Sequence, residues 1–433
     1  MQSHSSYTLQ DVKDELEISN IFLTGGAGVG KSYMTNEIID FYRTDGKQVI
    51  PLGSTGVSAV NIGGFTIHSF FVFGISSNFE ELSISDKKNK KRLTELKKIL
   101  KATDLIIIDE ISMVSADLME MIVSRLSGYS YRGRVMLVGD FYQLPPIVKR
   151  NSNNSLFNGL LFAFESSAWQ RLDPTVIELT DMKRTDDGEF THILSKVRAG
   201  ACDNEVIDYM LRLCNNDSVY TKDPTYLFGR NIEVEKLNRQ NLNRLDGEET
   251  ILFAQIEKHT KVFEKRVDSW KALLPISEQL TLKVGVPILF TINKWGKYVN
   301  GERGVLRAIE DEYLLVEKGD EYIRVTRHEF DLLDISVDND GKVEQISQAT
   351  LKQFPIKLAY AVTIHKSQGM SIDNLVCNVD NIFATSQFYV AISRATNPNN
   401  LKIDFTKDNI SNYLHRVIRA DDRVHRYYAE SKS

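Results

Sequence analysis

The sequence predicts an α/β protein of two units, the second interrupted by a small β-barrel. Three observations lead there: short apolar runs alternating with helical patterns, a glycine-rich turn lodged between a strand and a helix, and a block of about 255–354 in which the strand period replaces the helical one.

The first 185 residues read as one doubly wound unit. IFLT (21–24) is an apolar strand running into the glycine-rich turn, and 32–43 follows as a helix. QVIPL (48–52), LIIID (105–109), VMLVG (135–139) and VIELT (176–180) are apolar runs of the kind that make parallel strands buried on both faces. RLTELKKIL and SADLMEMIVSRL are the helices between them. The basic stretch 86–101 reads as a solvated helix face with Leu93, Leu96 and Leu100 turned inward. The second unit begins with the helices FTHILSKVRAG and NEVIDYMLRLC, the strand YLFG (226–229) and a further helix. After the interruption, with its VPILFTIN, GVLRAI, YLLVEK and YIRVTR runs and the hairpin-like ISVDNDGKVEQIS, the unit resumes at IKLAYAVTI (356–364) and closes with NLVCNVD, SQFYVAISRA and LKIDF.

With 433 residues and 42% hydrophobic content, the chain can bury sizeable cores. It contains no apolar run near the roughly 20 residues that span a bilayer, and it opens without a basic cap or hydrophobic stretch, so a cytosolic (in a bacterium, cytoplasmic) protein with no membrane partner is expected. Cys202, Cys214 and Cys377 match no zinc or redox spacing and read as reduced structural thiols. A net charge of −5 neither demands nor forbids nucleic acid, because phosphate contact depends on local basic surface.

The chemistry lies in four motifs. Gly25-Gly26-Ala27-Gly28-Val29-Gly30-Lys31-Ser32 fits G-x-x-x-x-G-K-[ST] in the strand-to-helix context that gives the pattern meaning. Its glycines let backbone amides and the helix start wrap a polyphosphate, Lys31 reaches the β and γ phosphates, and the Ser32 hydroxyl coordinates Mg²⁺. Asp109 and Glu110 end a strand at the sheet edge where such folds bind ligands: Asp109 can hold Mg²⁺ through water, and Glu110 can orient or deprotonate an attacking water. In Gly139-Asp140-Phe141-Tyr142-Gln143-Leu144-Pro145-Pro146, Gln143 offers an uncharged amide able to sense the γ phosphate; a simple turn is the plainer reading. In the last motif Ser386 is a candidate N-cap, and Gln387, Ala391 and Arg394 share a helix face from which Arg394 could neutralise charge on a bound nucleotide.

Together FLTGGAGVGKS, GSTGVSAVNIGGFTIHSFF, DEISMV, GDFYQLPP, ELTDMKRT, YAVTIHKSQGMS and YVAISRAT resemble the superfamily 1 DNA helicases, and their order resembles the Pif-type, 5′ to 3′ group (superfamily 1B), over about 20–405. The resemblance implies two RecA-like P-loop NTPase domains with an SH3-like β-barrel insertion: 1–65 and 86–185 for the first motor domain, 66–85 for a wedge-bearing accessory segment, 186–254 and 355–433 for the second motor domain, and 255–354 for the barrel. It implies an ATPase site of Lys31, Ser32, Asp109, Glu110, Gln143, Arg184 and Arg394 using ATP and Mg²⁺, with both arginines supplied as a cleft closes. It also implies that Thr55, Thr66, His68, Thr363 and His365 lie along single-stranded DNA. Phe65, Phe70, Phe71 and Phe73 are either base-stacking or core residues, and Trp295 and Tyr298, in the polar loop NKWGKYVNGERG, are expected to stack on bases. Gln10 is the available adenine-recognising glutamine, and Ser54 and Ser58 stand where the group generally has proline and alanine. The expected partners are single-stranded DNA and fork or G-quadruplex DNA, acted on by a monomeric motor. An ATP-switched DNA-binding protein that does not translocate, and a RecD-like or Dda-like superfamily 1 helicase, are the competing readings.

Overall fold

The structure is a computed structural model that describes residues 7–74, 76, 78–146, 160–294, 296–337, 343–406 and 409–431. Two compact units form, one of Met1–Lys183, Leu332–Gln348 and Asp422–Ser433, the other of Arg184–Asp331 and Ala349–Asp421.

The first unit is organised by six parallel strands: β1 (Ile21–Gly25), β2 (Val49–Gly53), β3 (Phe65–Thr66), β4 (Leu105–Asp109), β5 (Arg134–Val138) and β6 (Thr175–Leu179), in the spatial order β3-β2-β4-β5-β1-β6. Every residue of β1 and β2 is buried, as continuous apolar runs require in a sheet covered on both faces. Helix α1 (Leu9–Ile18) starts with a reciprocal cap between Thr8 and Asp11 and sends Val12 and Leu16 into the core around Ile21 and Leu23. Helix α2 (Lys31–Thr44) adds Met34, Ile38, Ile39 and Tyr42 to that core. The basic helix Lys90–Ala102 buries Leu96, Ile99 and Leu100, while Leu93 is only half-buried. Phe65, Phe70, Phe71 and Phe73 are all core residues, with Phe70 against Phe71 at 4.9 Å and Phe71 stacked on Phe73 at 5.4 Å. Their apolar area is spent inside the protein, so they are not base-stacking surfaces.

The last helix, Asp422–Glu430, departs from the expected grouping of 355–433 with the second unit. Its Val424 and Tyr428 are buried, and Tyr427 enters an aromatic cluster with Phe22, Phe141, Phe164 and Trp169 at centroid distances of 4.5–6.2 Å. Aromatic burial on this scale, roughly 25 cal/mol per Å² of apolar surface, outweighs sequence proximity. Likewise Leu332–Gln348, expected within the barrel, groups with the first unit.

In the second unit, Thr225–Phe228, Ala361–Thr363, Leu375–Asn378 and Leu401–Asp404 form a four-stranded sheet in which every pairing is parallel. The interruption is antiparallel: Pro287–Phe290, Arg303–Ile309, Tyr313–Lys318 and Glu321–Thr326 pair in turn, with a bulge between Leu306 and Ala308, and Ile356–Leu358 closes the other edge of this five-stranded sheet. The expected single strand 356–364 is therefore two. The chain turns at Ala359 and Tyr360, where Ala359 N–H donates to Pro287 O and Tyr360 O accepts from Tyr226 N–H, passing the backbone from one sheet to the other. Tyr298, expected to face bases, is 3% exposed and stacked on Phe290 at 4.0 Å, and Trp295 lies outside the described residues. The three cysteines are free thiols, each pushed up by burial, and among the described residues no helix is long and apolar enough to cross a membrane.

Lys357 in this unit is the clearest stability liability. Burial and the neighbouring Lys366 push its ammonium down to about 7 from the usual 10.5 of a lysine. Between those two values the unfolded chain binds a proton that the folded chain does not, so stability rises with pH from about 7 to 10.5 and is lowest below 7. Lys357→Met is expected to stabilise the protein at pH 6–7 by on the order of 2 kcal/mol and to flatten that slope, as thermal melts across this pH range would read. A melting temperature that falls at pH 6 would show that the ammonium has a stabilising partner.

Candidate nucleotide-binding and catalytic site

The glycine-rich turn leaves β1 and enters α2 in a conformation that only glycines adopt without strain. Gly25, Gly28 and Gly30 have φ of 139°, 88° and 95°, and a Cβ on Gly25 would stand 2.3 Å from Leu179 O. Gly30 caps α2 without any side-chain acceptor, which leaves the first-turn amides suited to a phosphate. Lys183 N–H donates to Gly28 O at 2.8 Å and braces the turn. Lys31 Nζ lies back over the same loop, donating to Gly25 O at 2.7 Å and Gly26 O at 2.8 Å. Ala27 and Val29 are buried, and Ser32 is exposed beside Lys31 in the first turn of α2.

Asp109 ends β4, and Glu110 takes a left-handed backbone conformation at φ 55°, which costs a non-glycine residue about 1–2 kcal/mol. Desolvation and the charge of Glu110 push the Asp109 carboxyl up to about 7, against the pull of a backbone hydrogen bond from Glu110 and of Lys31. Lys31 thus compensates this carboxylate only in part. A divalent cation between it and the Ser32 hydroxyl would supply the remaining positive charge, so this donor set fits Mg²⁺. Among the described residues no cluster of three or more His, Cys, Asp and Glu could hold a metal ion by itself. Gln143 is buried in the turn after β5, its amide donating to Asp140 Oδ2 at 3.4 Å and its N–H to Asp140 O at 2.8 Å.

The two arginines meet inside the second unit. Arg184 donates to Ser371 Oγ at 2.9 Å and to Ser393 O at 2.7 Å, while Arg394, 2% exposed, donates to Val390 O at 2.9 Å, to Ser393 Oγ at 3.0 Å and to Ser367 O at 3.5 Å. Burial and the charge of Arg394 push Arg184 down to about 9, with Tyr389 opposing. The helix here is shorter than expected: it runs Gln387–Ile392, so Arg394 lies beyond its end. Ser386 sits at the N-cap position at φ 67° with no capping bond, so it does not cap as expected, and the Gln387 side-chain oxygen instead ties down the preceding loop, accepting from Phe383 N–H and Ala384 N–H.

Thr55 and Thr66 lie at the carboxyl edge of the first unit's parallel sheet, and Thr363 ends a strand of the second unit's. Thr66 ends β3 in register with Gly53, and Thr55 follows two residues after Gly53. Each accepts from a backbone amide, Thr55 Oγ1 from Ser58 N–H at 3.1 Å and Thr66 Oγ1 from Ser69 N–H at 3.3 Å. Ser58 returns the favour to Thr55 N–H at 3.1 Å, a reciprocal cap that alanine could not make. Thr363 Oγ1 accepts from Lys366 N–H at 3.3 Å. His68 and His365 are half-buried, and burial pushes both imidazoles toward the neutral form. His365 stacks at 6.1 Å on Phe383, whose ring is 69% exposed. Sequence reading missed Phe383 because nothing in the run NIFATSQ separates an exposed ring from a core one. Gln10 is exposed on α1, with its amide donating to Asp14 Oδ1 at 2.6 Å.

The chain is similar to known helicases over most of its length. A family model described as PIF1-like helicase matches residues 7–207, and a second helicase model matches 319–424. The ATP-dependent DNA helicase Pif1 of Campylobacter jejuni is 43% identical over 426 residues, 95% of each chain. The crystal structure of Bacteroides sp Pif1 in complex with ADP-AlF4 superposes with a TM-score of 0.82 at 25% identity, covering 98% of this chain and 96% of that one. Bacteroides Pif1 bound to ssDNA superposes with a TM-score of 0.65, also at 25% identity, over 98% of this chain and 96% of that one. With 43% identity to that Campylobacter jejuni relative over 95% of both chains, this chain belongs to the PIF1-like helicase family.

Proposed function

We propose that the chain is an ATP-driven motor that moves 5′ to 3′ along single-stranded DNA and opens the duplex ahead of it. One observation carries the reading: a glycine-rich turn, with positive φ at Gly25, Gly28 and Gly30, holds the Lys31 ammonium on its own carbonyls beside the Asp109–Glu110 carboxylate pair. Lys31 exchanges those carbonyls for β and γ phosphate oxygens when ATP binds. Ser32 and Asp109 would hold Mg²⁺, which would supply charge to neutralise the phosphates. Glu110 orients the attacking water and accepts its proton, and Gln143 senses the γ phosphate. Arg184 and Arg394 come to the phosphates as the two motor domains close, and opening and closing steps the protein along DNA.

The motor domains are assigned as 1–65 with 86–185 and 186–254 with 355–433, less the last helix; 66–85 is the wedge-bearing segment, and the antiparallel block 255–354, less Leu332–Gln348, is the SH3-like accessory barrel. The capping threonines support the DNA track. Each of Thr66 and Thr363 accepts from an amide and keeps a hydroxyl proton to give a phosphate oxygen, which binds the backbone without reading sequence. Lys31 and Arg394 lie on one chain, so a monomer suffices, and forked and G-quadruplex DNA are the proposed substrates. Duplexes with a 5′ or a 3′ single-stranded tail test the direction. At least tenfold faster unwinding from the 5′ tail is expected, and efficient opening from the 3′ tail alone would overturn the assignment.

A further inference from the structure

The Tyr428 hydroxyl touches both loops that flank the phosphate site. It lies 2.7 Å from Thr24 Oγ1, on the residue directly before the glycine turn, and accepts from Phe141 N–H at 3.2 Å, two residues before Gln143. Its ring stacks on Tyr142 at 5.0 Å and 10°, and the Tyr142 hydroxyl meets His425 Nδ1 at 3.0 Å, one helical turn earlier. The last helix thus grips the Gln143 turn through the Phe141 backbone and through the Tyr142 side chain. Both loops leave neighbouring strands, with Gly139 N–H still bonded to Leu23 O at 3.1 Å. Beyond that bond the hydroxyl spans the two segments, sharing a proton with the Thr24 hydroxyl and accepting from Phe141 N–H. Tyr428 is 5% exposed, so neither bond is traded with water at low cost. The helix also marks where the chain, having built the second unit up to Asp421, returns to the first.

We propose that Tyr428, braced by Tyr142 and His425, is a positioning residue for hydrolysis: it fixes the distance between the Gln143 turn and the phosphate loop. This rests on the reading of Gln143 as the γ-phosphate sensor. Displacement of a sensing amide by about 1 Å lowers turnover by up to roughly 100-fold while leaving ground-state binding alone, because the interaction matters most in the transition state.

The test uses the full chain with ATP and oligo-dT, reading kcat, the affinity for a fluorescent ATP analogue and the thermal melt. Tyr428→Phe keeps the stacked ring and removes the hydroxyl; it is expected to lower kcat five- to tenfold with nucleotide affinity within twofold of wild type. Gln143→Ala is expected to lose at least as much, and the double variant no more than Gln143→Ala alone, since one residue acts through the other. Wild-type kcat in Tyr428→Phe, a lowered melting temperature with kcat intact, or effects that multiply in the double variant would each overturn the proposal. If Gln143→Ala itself keeps full turnover, the sensor reading fails instead. Should Tyr428→Phe not fold, Thr24→Val removes the other half of the bridge, with the same expected fall in kcat; wild-type kcat there overturns the proposal.

Discussion

Lys31→Ala is expected to lower ATP turnover by about 1,000-fold or more, and to weaken nucleotide binding, while leaving single-stranded DNA affinity within a few-fold of wild type. The ammonium already sits where phosphate charge would arrive, bonded at 2.7 and 2.8 Å to carbonyls of the loop that wraps the phosphates. That arrangement costs little reorganisation, because the loop is held by strain-free glycines and by the Lys183 bond to Gly28. Alanine leaves the two carbonyls without a donor and the site without the positive charge that offsets Asp109 and Glu110, so phosphate meets net repulsion. The proposed DNA contacts at Thr55, Thr66, Thr363 and His365 do not involve this side chain. ATPase rates with and without oligo-dT, alongside fluorescence anisotropy of labelled DNA, check both halves. Residual DNA-stimulated turnover above a few per cent of wild type would show that the phosphate cradle is not the engine.

What could be read from the sequence was local. The phosphate loop, the carboxylate pair and the Gln143 turn each occupy a few consecutive residues after an apolar strand, so pattern and context sat together on the page. The buried parallel strands were legible for the same reason, since a run such as LIIID has no polar face to expose. What escaped was which core a segment joins. The helix Asp422–Glu430 shows that it is amphipathic, yet nothing in its pattern says that Tyr427 and Tyr428 fill a gap beside Phe22 and Phe141, about 400 and 290 residues away in the chain. Tyr298 misled because its neighbours in the sequence are polar, whereas its ring answers to Phe290 across a turn. The strand 356–364 looked continuous because apolar periodicity does not register a change of sheet. Arg184 entered only through resemblance, since the KRTDD run around it reads as an ordinary exposed loop.

Arg394→Ala separates a motor from a switch, and its expected result is a loss of about 1,000-fold or more in DNA-stimulated turnover with nucleotide affinity within a few-fold of wild type. The side chain is held by hydrogen bonds to Val390 O, Ser367 O and Ser393 Oγ, which fix its position but bring no negative charge. A guanidinium 2% exposed is costly to bury, and here it stands close enough to Arg184 to push that group down to about 9. The serine at 393 serves both arginines, giving its carbonyl to Arg184 and its hydroxyl to Arg394, and so fixes them as a pair. Two like charges held together in a poorly solvated place gain most from an anion, and the γ phosphate in its transition state is the anion on which such a pair acts with greatest effect. Lysine at 394 keeps the charge but not the planar fork, so Arg394→Lys is expected to recover less than a tenth of the lost rate. The pattern differs from that of Lys31→Ala, where binding falls too, because a group that acts in the transition state leaves ground-state affinity alone. An Arg394→Ala protein that melts as a folded protein and still hydrolyses ATP at the wild-type rate on DNA would remove the arginine from the chemistry. The chain would then be a DNA-binding protein switched by nucleotide, and its lack of unwinding on either tailed duplex would follow.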